Sequence, residues 1–231
     1  MDEQTQNNNK ILLSAVRTVG ILKPKFNPLA KGFDIPKLEV NGTGFWLSSG
    51  AFITCAHVIG RILNQPVEIV GMLVVGGNEK PYRKATINMI DYLHDIAILN
   101  VEPNNNNDVE SLNLEIKDGL EVYNQKLNVG DKIAYAGFPL GTQLLNEKHS
   151  PSYTEGIIGN EVIEGKVGPK IIQISGPVIN GYSGGPIVLR NDFRKVVSIV
   201  SNSPSTEAGH ASIFRGVHWK HIDALNALFK S

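Results

Sequence analysis

Short apolar runs alternate with turn-forming residues along nearly the whole chain. In each half of the chain six runs have the length and spacing of strands: 15–22, 44–47, 51–54, 67–75, 82–90 and 96–101, then 120–124, 132–136, 155–164, 170–174, 186–190 and 196–201. Runs of this length, bounded by Gly, Pro, Asn and Asp, are typical of antiparallel barrels and sandwiches. The pattern therefore predicts an all-β fold with two halves of six strands each.

A few stretches depart from this pattern. Residues 217–230 carry apolar positions at near-helical spacing, which predicts a C-terminal helix packed on the strands, and residues 57–63 fit one helical turn. The polar residues 1–10 predict a disordered tail. The prolines and glycines within 24–36 predict a long irregular connection, and the Asn-rich residues 104–108 predict a solvated loop between the halves.

The composition fits one globular domain, over residues 11–231. The chain has 231 residues, of which 42% are apolar, enough for a substantial core. Its 22 basic residues equal its 22 acidic ones. Nucleic acids and anionic membranes favour proteins with an excess of positive charge, so we expect neither as a partner.

Cysteine usage bears on the cellular location. Cys55 is the only cysteine, so the chain cannot form an internal disulfide. The first ten residues lack the basic-then-apolar pattern of a signal peptide, and no apolar run approaches the ~20 residues of a membrane span. We therefore expect a soluble cytoplasmic protein.

Candidate chemistry is concentrated in three segments. Residues 181–186 (GYSGGP) place Ser183 in a glycine frame, which suits either a tight turn or an exposed nucleophile. His57 follows the apolar residues 52–53, and Asp95 begins the apolar run 96–99. Serine needs a base to become nucleophilic at neutral pH, and a base of this kind needs an orienting acid. Asp91 is the alternative acid.

These segments and four others resemble trypsin-like serine proteases of the chymotrypsin clan, and more narrowly their Deg/HtrA-like branch. The chain order His, Asp, Ser is the order of that clan. The matches occur in the same order as in the branch and cover about residues 11–203. They are 42–45 (GTGF), 54–58 (TCAHV), 95–99 (DIAIL), 130–141 (GD, then AGFPLG), 154–158 (TEGII) and 179–186 (INGYSGGP).

The resemblance implies two six-stranded antiparallel β-barrels followed by a C-terminal helix. The sequence stops at that helix, so we expect no PDZ module. The resemblance places the first barrel at about 11–103, the second at about 118–216, and the helix at about 217–230. A regulatory loop of the branch corresponds to 140–153. The active site is then expected between the barrels.

The resemblance also assigns roles to individual residues. His57 is the general base, Asp95 orients it, and Ser183 is the nucleophile; the backbone N–H groups of Gly181 and Ser183 form the oxyanion hole. Tyr182 stands where digestive members of the clan carry an aspartate that pairs with a newly cut N-terminus. Because no carboxylate is present there, we expect control by substrate, an activating partner or loop ordering.

In the clan, the floor of the first specificity pocket lies six residues before the nucleophile, which is Pro177 here. With Val178 and Val200 as walls, such a pocket favours small or medium apolar side chains before the cut and excludes Lys and Arg. A shift in alignment would make Gly176 or Ile179 the floor instead.

The same resemblance makes Ser201, Asn202 and Ser203 the edge on which the substrate backbone docks by β-augmentation. The resulting prediction is a serine endopeptidase that acts on proteins or peptides. The alternatives are a peptide-binding or regulatory module with weak activity, and an esterase-like acyl transferase, which has less support in the chain order.

No metal or other cofactor is expected. His218 and His221 lack a third ligand cluster nearby in the sequence, and Cys55 fits core packing better than the role of a nucleophile.

Overall fold

The computed structural model describes residues 3–27, 32–63, 71–73, 82–139, 151–163, 170–201 and 211–230. The first half contains α1 (Glu3–Ala15), β1 (Val16–Asn27), β2 (Gly32–Trp46), β3 (Phe52–Thr54), α2 (Ala56–Leu63), β4 (Gly71–Leu73), β5 (Tyr82–Asp91) and β6 (Ile96–Val101). The second half contains α3 (Asp108–Lys117), β7 (Glu121–Val122), β8 (Lys132–Gly137), β9 (Ser152–Ile163), β10 (Lys170–Val178), β11 (Pro186–Leu189), β12 (Asp192–Val200), β13 (Ala211–His218) and α4 (Trp219–Lys230).

The first six strands close into an antiparallel barrel in the order β1-β2-β3-β6-β5-β4. β3 lies between β2 and β6, with Thr54 opposite both Gly44 and Ala97. All three residues of β3 are buried, as expected for a short strand in the middle of a barrel wall. This pairing brings the chain after β3 next to the chain before β6, which are the two positions that carry His57 and Asp95.

The second barrel is a ring of β8 to β13. Its order is β11-β8-β9-β10-β13-β12, and a further pairing between β11 and β12 closes it. The short β7 adds to β12 in parallel, outside the ring. Its core contains Tyr135, Ile174 and Phe214. The prediction of two six-stranded antiparallel barrels with a C-terminal helix is confirmed, although the sixth strand of the second ring is β13 and not the segment around residue 121.

Two helices differ from the sequence predictions. Residues 3–15 form α1, so the expected disordered tail over 1–10 is wrong from Glu3 onward. The apolar end of α1 provides the physical reason, because Leu12 and Ala15 are fully buried in the main core. The solvated loop expected over 104–108 is present as a largely exposed turn over 104–107, but α3, which begins at Asp108, was not predicted.

A buried ionic network holds α3 against the first barrel. Arg83 of β5 is fully buried and donates to Asp108 at 2.7 Å and to Glu115 at 2.9 Å. Glu115 also pairs with Arg17 at 2.9 Å and accepts from the Trp46 indole N–H at 3.2 Å. A buried guanidinium requires such partners. Through them Arg83 holds α3 in place, a helix that the Asn-rich residues before it gave little reason to expect.

The long irregular connection predicted over residues 24–36 is also corrected. β1 continues to Asn27 and β2 begins at Gly32, with Phe26 opposite Phe33. The predicted strand 67–75 is described only at 71–73, and the predicted regulatory loop only from residue 151. Within the described ranges, no helix has both the length and the apolar character needed to cross a bilayer.

Candidate active site

His57 and Asp95 meet at the edge of the first barrel. His57 lies in the first turn of α2, directly after β3, and Asp95 lies directly before β6. The ring Nδ1 of His57 lies 2.8 Å from Oδ2 and 3.0 Å from Oδ1 of Asp95, and the His57 backbone N–H donates to Oδ1 at 2.9 Å. Because a carboxylate only accepts, Nδ1 carries a proton in this contact, and when the ring is neutral Nε2 has the free lone pair.

The Asp95 carboxylate is held in its ionised form. Burial alone would raise its pKa, but hydrogen bonds and charge interaction with His57, together with the hydroxyl of Ser201, outweigh burial and hold the pKa below its ordinary range. The backbone of Asp95 has φ of 56°, in the left-handed region that Asp tolerates better than most residues. Ile96, which follows it, is fully buried in the main core.

Ser183 lies in the turn between β10 and β11 of the second barrel. Gly181 and Gly184 have φ of 102° and 87°, conformations that favour glycine. The N–H groups of Tyr182, Gly184 and Gly185 donate to backbone carbonyls. Among the described residues, no backbone carbonyl accepts the N–H of Gly181 or Ser183. Within the described part of the chain, both groups named as oxyanion donors thus lack a backbone acceptor.

Thr43 of the first barrel braces this turn, a role that the sequence analysis did not assign to it. Its N–H donates to the Ser183 carbonyl at 2.8 Å, and its hydroxyl donates to the Gly181 carbonyl at 2.7 Å. The same hydroxyl accepts from the Phe138 N–H at 3.1 Å. A Cβ on Gly184 would lie 2.0 Å from the Thr43 carbonyl oxygen, so the two barrels interlock closely here. The only signal for this role in the sequence is the position of Thr43 within the GTGF motif.

His57, Asp95 and Ser183 line one cleft of about 440 Å³ between the barrels. The Ser183 hydroxyl donates to the Ser201 carbonyl at 3.3 Å, and no hydrogen bond joins it to the His57 ring. Ser201 in turn donates to Asp95. The cleft thus holds an oriented imidazole and a serine hydroxyl that bonds to a neighbouring backbone carbonyl and not to that ring.

The structure brings together only some of the predicted specificity residues. Val178, Val200 and Ser201 line the same cleft as Ser183. Pro177 is exposed and is not one of the lining residues; its carbonyl accepts from the buried Tyr135 hydroxyl. Asn202 and Ser203 lie outside the described residues. Of the alternative floor positions, Ile179 lines the cleft and Gly176 does not.

Ligand atoms of Cys55, His57 and Asp95 lie within 4.8 Å of one another. The Cys55 thiol donates to the Val200 carbonyl at 3.3 Å and is fully buried. Burial, reinforced by the charge of Asp95, raises the pKa of this thiol well above its ordinary value. It therefore stays protonated, and a protonated thiol is a poor metal ligand and a poor nucleophile.

The two histidines of the C-terminal region have partners of their own. His218 is buried, with Nε2 at 3.2 Å from Glu161 and Nδ1 accepting the Lys220 N–H at 3.1 Å. The Lys170 N–H donates to His221 Nε2 at 3.2 Å, and the His221 ring stacks on His94. Both nitrogens of His218 are thus engaged in a neutral ring, which suits a structural role.

Two comparisons with solved structures support the fold. The HtrA-type protease AlgW, solved with a decapeptide, superimposes with a TM-score of 0.72 at 15% identity, over 96% of this chain and 66% of AlgW. The Rv3671c protease of M. tuberculosis in its active form gives a TM-score of 0.63 at 19% identity, over 96% of this chain and 85% of that one. This chain thus spans slightly less than two thirds of AlgW. No curated protein sequence matches significantly.

A family model identifies the chain more directly. The model for the trypsin-like peptidase domain matches residues 42–198, a stretch that begins within β2 and continues past Ser183. The match covers more than half of the chain and includes the three segments that carry His57, Asp95 and Ser183. The chain belongs to the trypsin-like peptidase domain family.

Proposed function

We propose that this protein is a serine endopeptidase that cleaves peptide bonds through an acyl-enzyme on Ser183. The observation that carries the proposal is the His57–Asp95 pair, in which the N–H at Nδ1 is shared between both carboxylate oxygens, in the same cleft as a serine on a glycine-framed turn. Family membership supports peptidase chemistry. AlgW, the structural relative solved with a decapeptide, supports a peptide as the ligand of such a cleft.

The proposed reaction starts with attack by the Ser183 oxygen on the scissile carbonyl carbon. As the O–C bond forms, the hydroxyl proton passes to Nε2 of His57, and Asp95 stabilises the resulting imidazolium. The carbonyl oxygen becomes an oxyanion, for which the N–H groups of Gly181 and Ser183 are available. His57 then gives the proton to the leaving amine as the C–N bond breaks. Water repeats the sequence on the acyl-enzyme and releases the second product.

Specificity for a small or medium apolar side chain before the cut is part of the proposal. Val178 and Val200 line the cleft, and a basic side chain placed against them would lose its hydration without gaining a partner. Control by an activating partner or by substrate is supported by Tyr182. Its ring is buried, and its hydroxyl lies 2.9 Å from that of Thr154. This position therefore offers no carboxylate with which a newly cut N-terminus could form an ion pair.

A second candidate function is a peptide-binding or regulatory module with weak or conditional activity. The observation that favours it is the Ser183 hydroxyl, which bonds to Ser201 rather than to His57.

A cytoplasmic location also belongs to the proposal, supported by a single cysteine that is buried and unpaired.

The test is cleavage profiling of a proteome-derived peptide library with the wild type and with Ser183→Ala. We expect new termini that depend on Ser183, most of them after Ala, Val or Leu. Dominant cleavage after Lys or Arg would contradict the apolar pocket but not the peptidase. Cleavage that is equal in both proteins would contradict the peptidase itself, and peptide binding without any cleavage would favour the second candidate.

A further inference from the structure

The two N–H groups proposed for the oxyanion lie on either side of Tyr182. Because peptide bonds are planar, the angle between the two groups is set by the φ and ψ torsions of Gly181 and Tyr182. Gly181 has φ of 102°, and glycine moves readily between backbone conformations, so this residue does not hold the angle by itself. Contacts made by the neighbouring residues must therefore fix the turn.

Two of these contacts act on the backbone. The Thr43 hydroxyl donates to the Gly181 carbonyl at 2.7 Å, and the Gly185 N–H donates to the Tyr182 carbonyl at 2.8 Å. These bonds orient the peptide planes before and after Tyr182. A rotation about the backbone bonds of Tyr182 would also move its side chain, so a contact that holds the side chain holds the turn as well.

The Tyr182 side chain is inserted into the second barrel. The residue is only 4% exposed, and its ring meets the Tyr135 ring edge to face, with 5.7 Å between the ring centroids. A Cβ on Gly137 would lie 2.8 Å from Cδ1 of Tyr182, so the ring packs directly against the backbone of β8. These contacts fix the plane in which the ring lies.

A hydrogen bond holds the far end of the ring. The Tyr182 hydroxyl lies 2.9 Å from the hydroxyl of Thr154 on β9, and Thr154 stands opposite Tyr135 of β8. A buried hydroxyl that loses its partner is costly, so this bond sets the depth of the ring in the barrel. Tyr135 adds a tie just before the turn, since its own hydroxyl donates to the Pro177 carbonyl at 2.5 Å.

We propose that Tyr182 is a positioning residue of the oxyanion site: its hydroxyl, bonded to Thr154, anchors the turn so that the Gly181 and Ser183 N–H groups stay available to the oxyanion. This inference rests on the proposed peptidase function. Tyr182 does not line the cleft, so it acts through the backbone and not on the substrate. Donors that are fixed before the reaction stabilise the transition state without the cost of ordering them, so loss of the anchor should slow the chemical step and leave substrate binding almost unchanged.

The first experiment measures kcat and KM for a peptide chosen from library profiling. Tyr182→Phe and Thr154→Val each remove the hydrogen bond. We expect either change to lower kcat about fivefold to tenfold with KM within about twofold, as the net contribution of one hydrogen bond allows. Thr154→Ser keeps a hydroxyl and should keep the wild-type kcat. Tyr153→Phe is the matched control, because the Tyr153 hydroxyl bonds to Glu155 on the same strand and not to the turn.

The double variant Tyr182→Phe/Thr154→Val should be no slower than the slower single variant, because both changes remove the same bond. Losses that multiply, a wild-type kcat in Tyr182→Phe, or a change in KM alone would overturn the proposal. Thermal unfolding of each variant shows whether it has kept its fold.

The second experiment follows the turn itself by NMR relaxation dispersion of the backbone amides, which detects exchange on the microsecond to millisecond timescale and needs no turnover. We expect the amides of residues 181–183 to show exchange in Tyr182→Phe but not in the wild type or in Tyr153→Phe. That result supports the anchor even if the wild type hydrolyses nothing. Equal dispersion in Tyr182→Phe and the wild type overturns the anchor, and hydrolysis that depends on Ser183 would still leave the peptidase standing.

Discussion

Asp95→Asn offers the sharpest test of how the His57–Asp95 pair works. The substitution keeps the shape of the side chain but removes its charge and turns one acceptor oxygen into an N–H₂ donor. Oδ2 accepts from Nδ1 of His57 and from Ser201, and Oδ1 accepts from Nδ1 and from the His57 N–H. The amide must keep its oxygen toward the His57 N–H, so its N–H₂ faces Nδ1. The ring then adopts the other tautomer, with the proton on Nε2, and cannot accept the serine proton.

The size of the effect follows from the contact. Unit charges 2.8 Å apart, the distance from Nδ1 to Oδ2, attract by about 6 kcal/mol at an effective dielectric constant of 20. The two side chains are 32% and 24% exposed, so solvent screening lowers this value. With about 4–5 kcal/mol lost from the transition state, kcat/KM should fall by about 10³–10⁴.

The assay is hydrolysis of a peptide chosen from library profiling, together with the rate of fluorophosphonate labelling, which reports on the nucleophile alone. Asp91→Asn is a matched control, because Asp91 holds His94 in a similar pair at 2.6 Å. We expect Asp91→Asn to change kcat/KM by no more than a few-fold. A loss below tenfold in Asp95→Asn, or a larger loss in Asp91→Asn, would refute the assignment of Asp95 as the orienting acid.

Three further predictions concern parts of the structure around the site. Thr43→Val should lower kcat by about tenfold with little change in KM, because the Thr43 hydroxyl donates to the Gly181 carbonyl. Thr43→Ser keeps that hydroxyl and should have a kcat close to that of the wild type. Equal kinetics of the Val and Ser variants would contradict the bracing role of the hydroxyl. Gly184→Ala should destabilise the fold by more than about 3 kcal/mol in urea unfolding, since its Cβ would lie 2.0 Å from a carbonyl oxygen at φ of 87°; a loss under 1 kcal/mol would contradict the interlock. Burial lowers the pKa of His218 to about 4. Between pH 6.5 and 4 the unfolded chain therefore binds a proton at this ring that the folded chain does not bind. The free energy of unfolding should fall by about 3 kcal/mol as the pH is lowered through this range. His218→Gln should flatten that part of the stability curve, and an unchanged slope would contradict the neutral buried ring.

The sequence predicted the strands well wherever burial is set by local alternation. β3, β5, β6, β8 and β11 lie within a few residues of their apolar runs. The helices α1 and α3 were missed because tertiary contacts determine them. Leu12 is buried only through packing in the main core, and Asp108 and Glu115 receive their partner from Arg83, about 30 residues away in the chain. No local pattern carries that information.

In the candidate site, too, some residues could be predicted from local sequence and others depend on contacts between distant parts of the chain. The glycine frame and the chain order of His57, Asp95 and Ser183 were sufficient to predict residues that the structure brings into one cleft. The bracing role of Thr43 depends on a contact across 138 residues. Positions of this kind become visible only when the two barrels are assembled.

The most direct test of the central claim is labelling of the intact protein with a fluorophosphonate, followed by mass spectrometry. The Ser183 oxygen should displace fluoride, add one phosphonyl group to the wild type, and place it on the peptide that contains Ser183. Ser183→Ala should remain unlabelled, and His57→Ala should react slower by several orders of magnitude. A folded wild-type protein that carries no adduct, or an adduct on any other residue, would contradict the claim that Ser183 is an activated nucleophile.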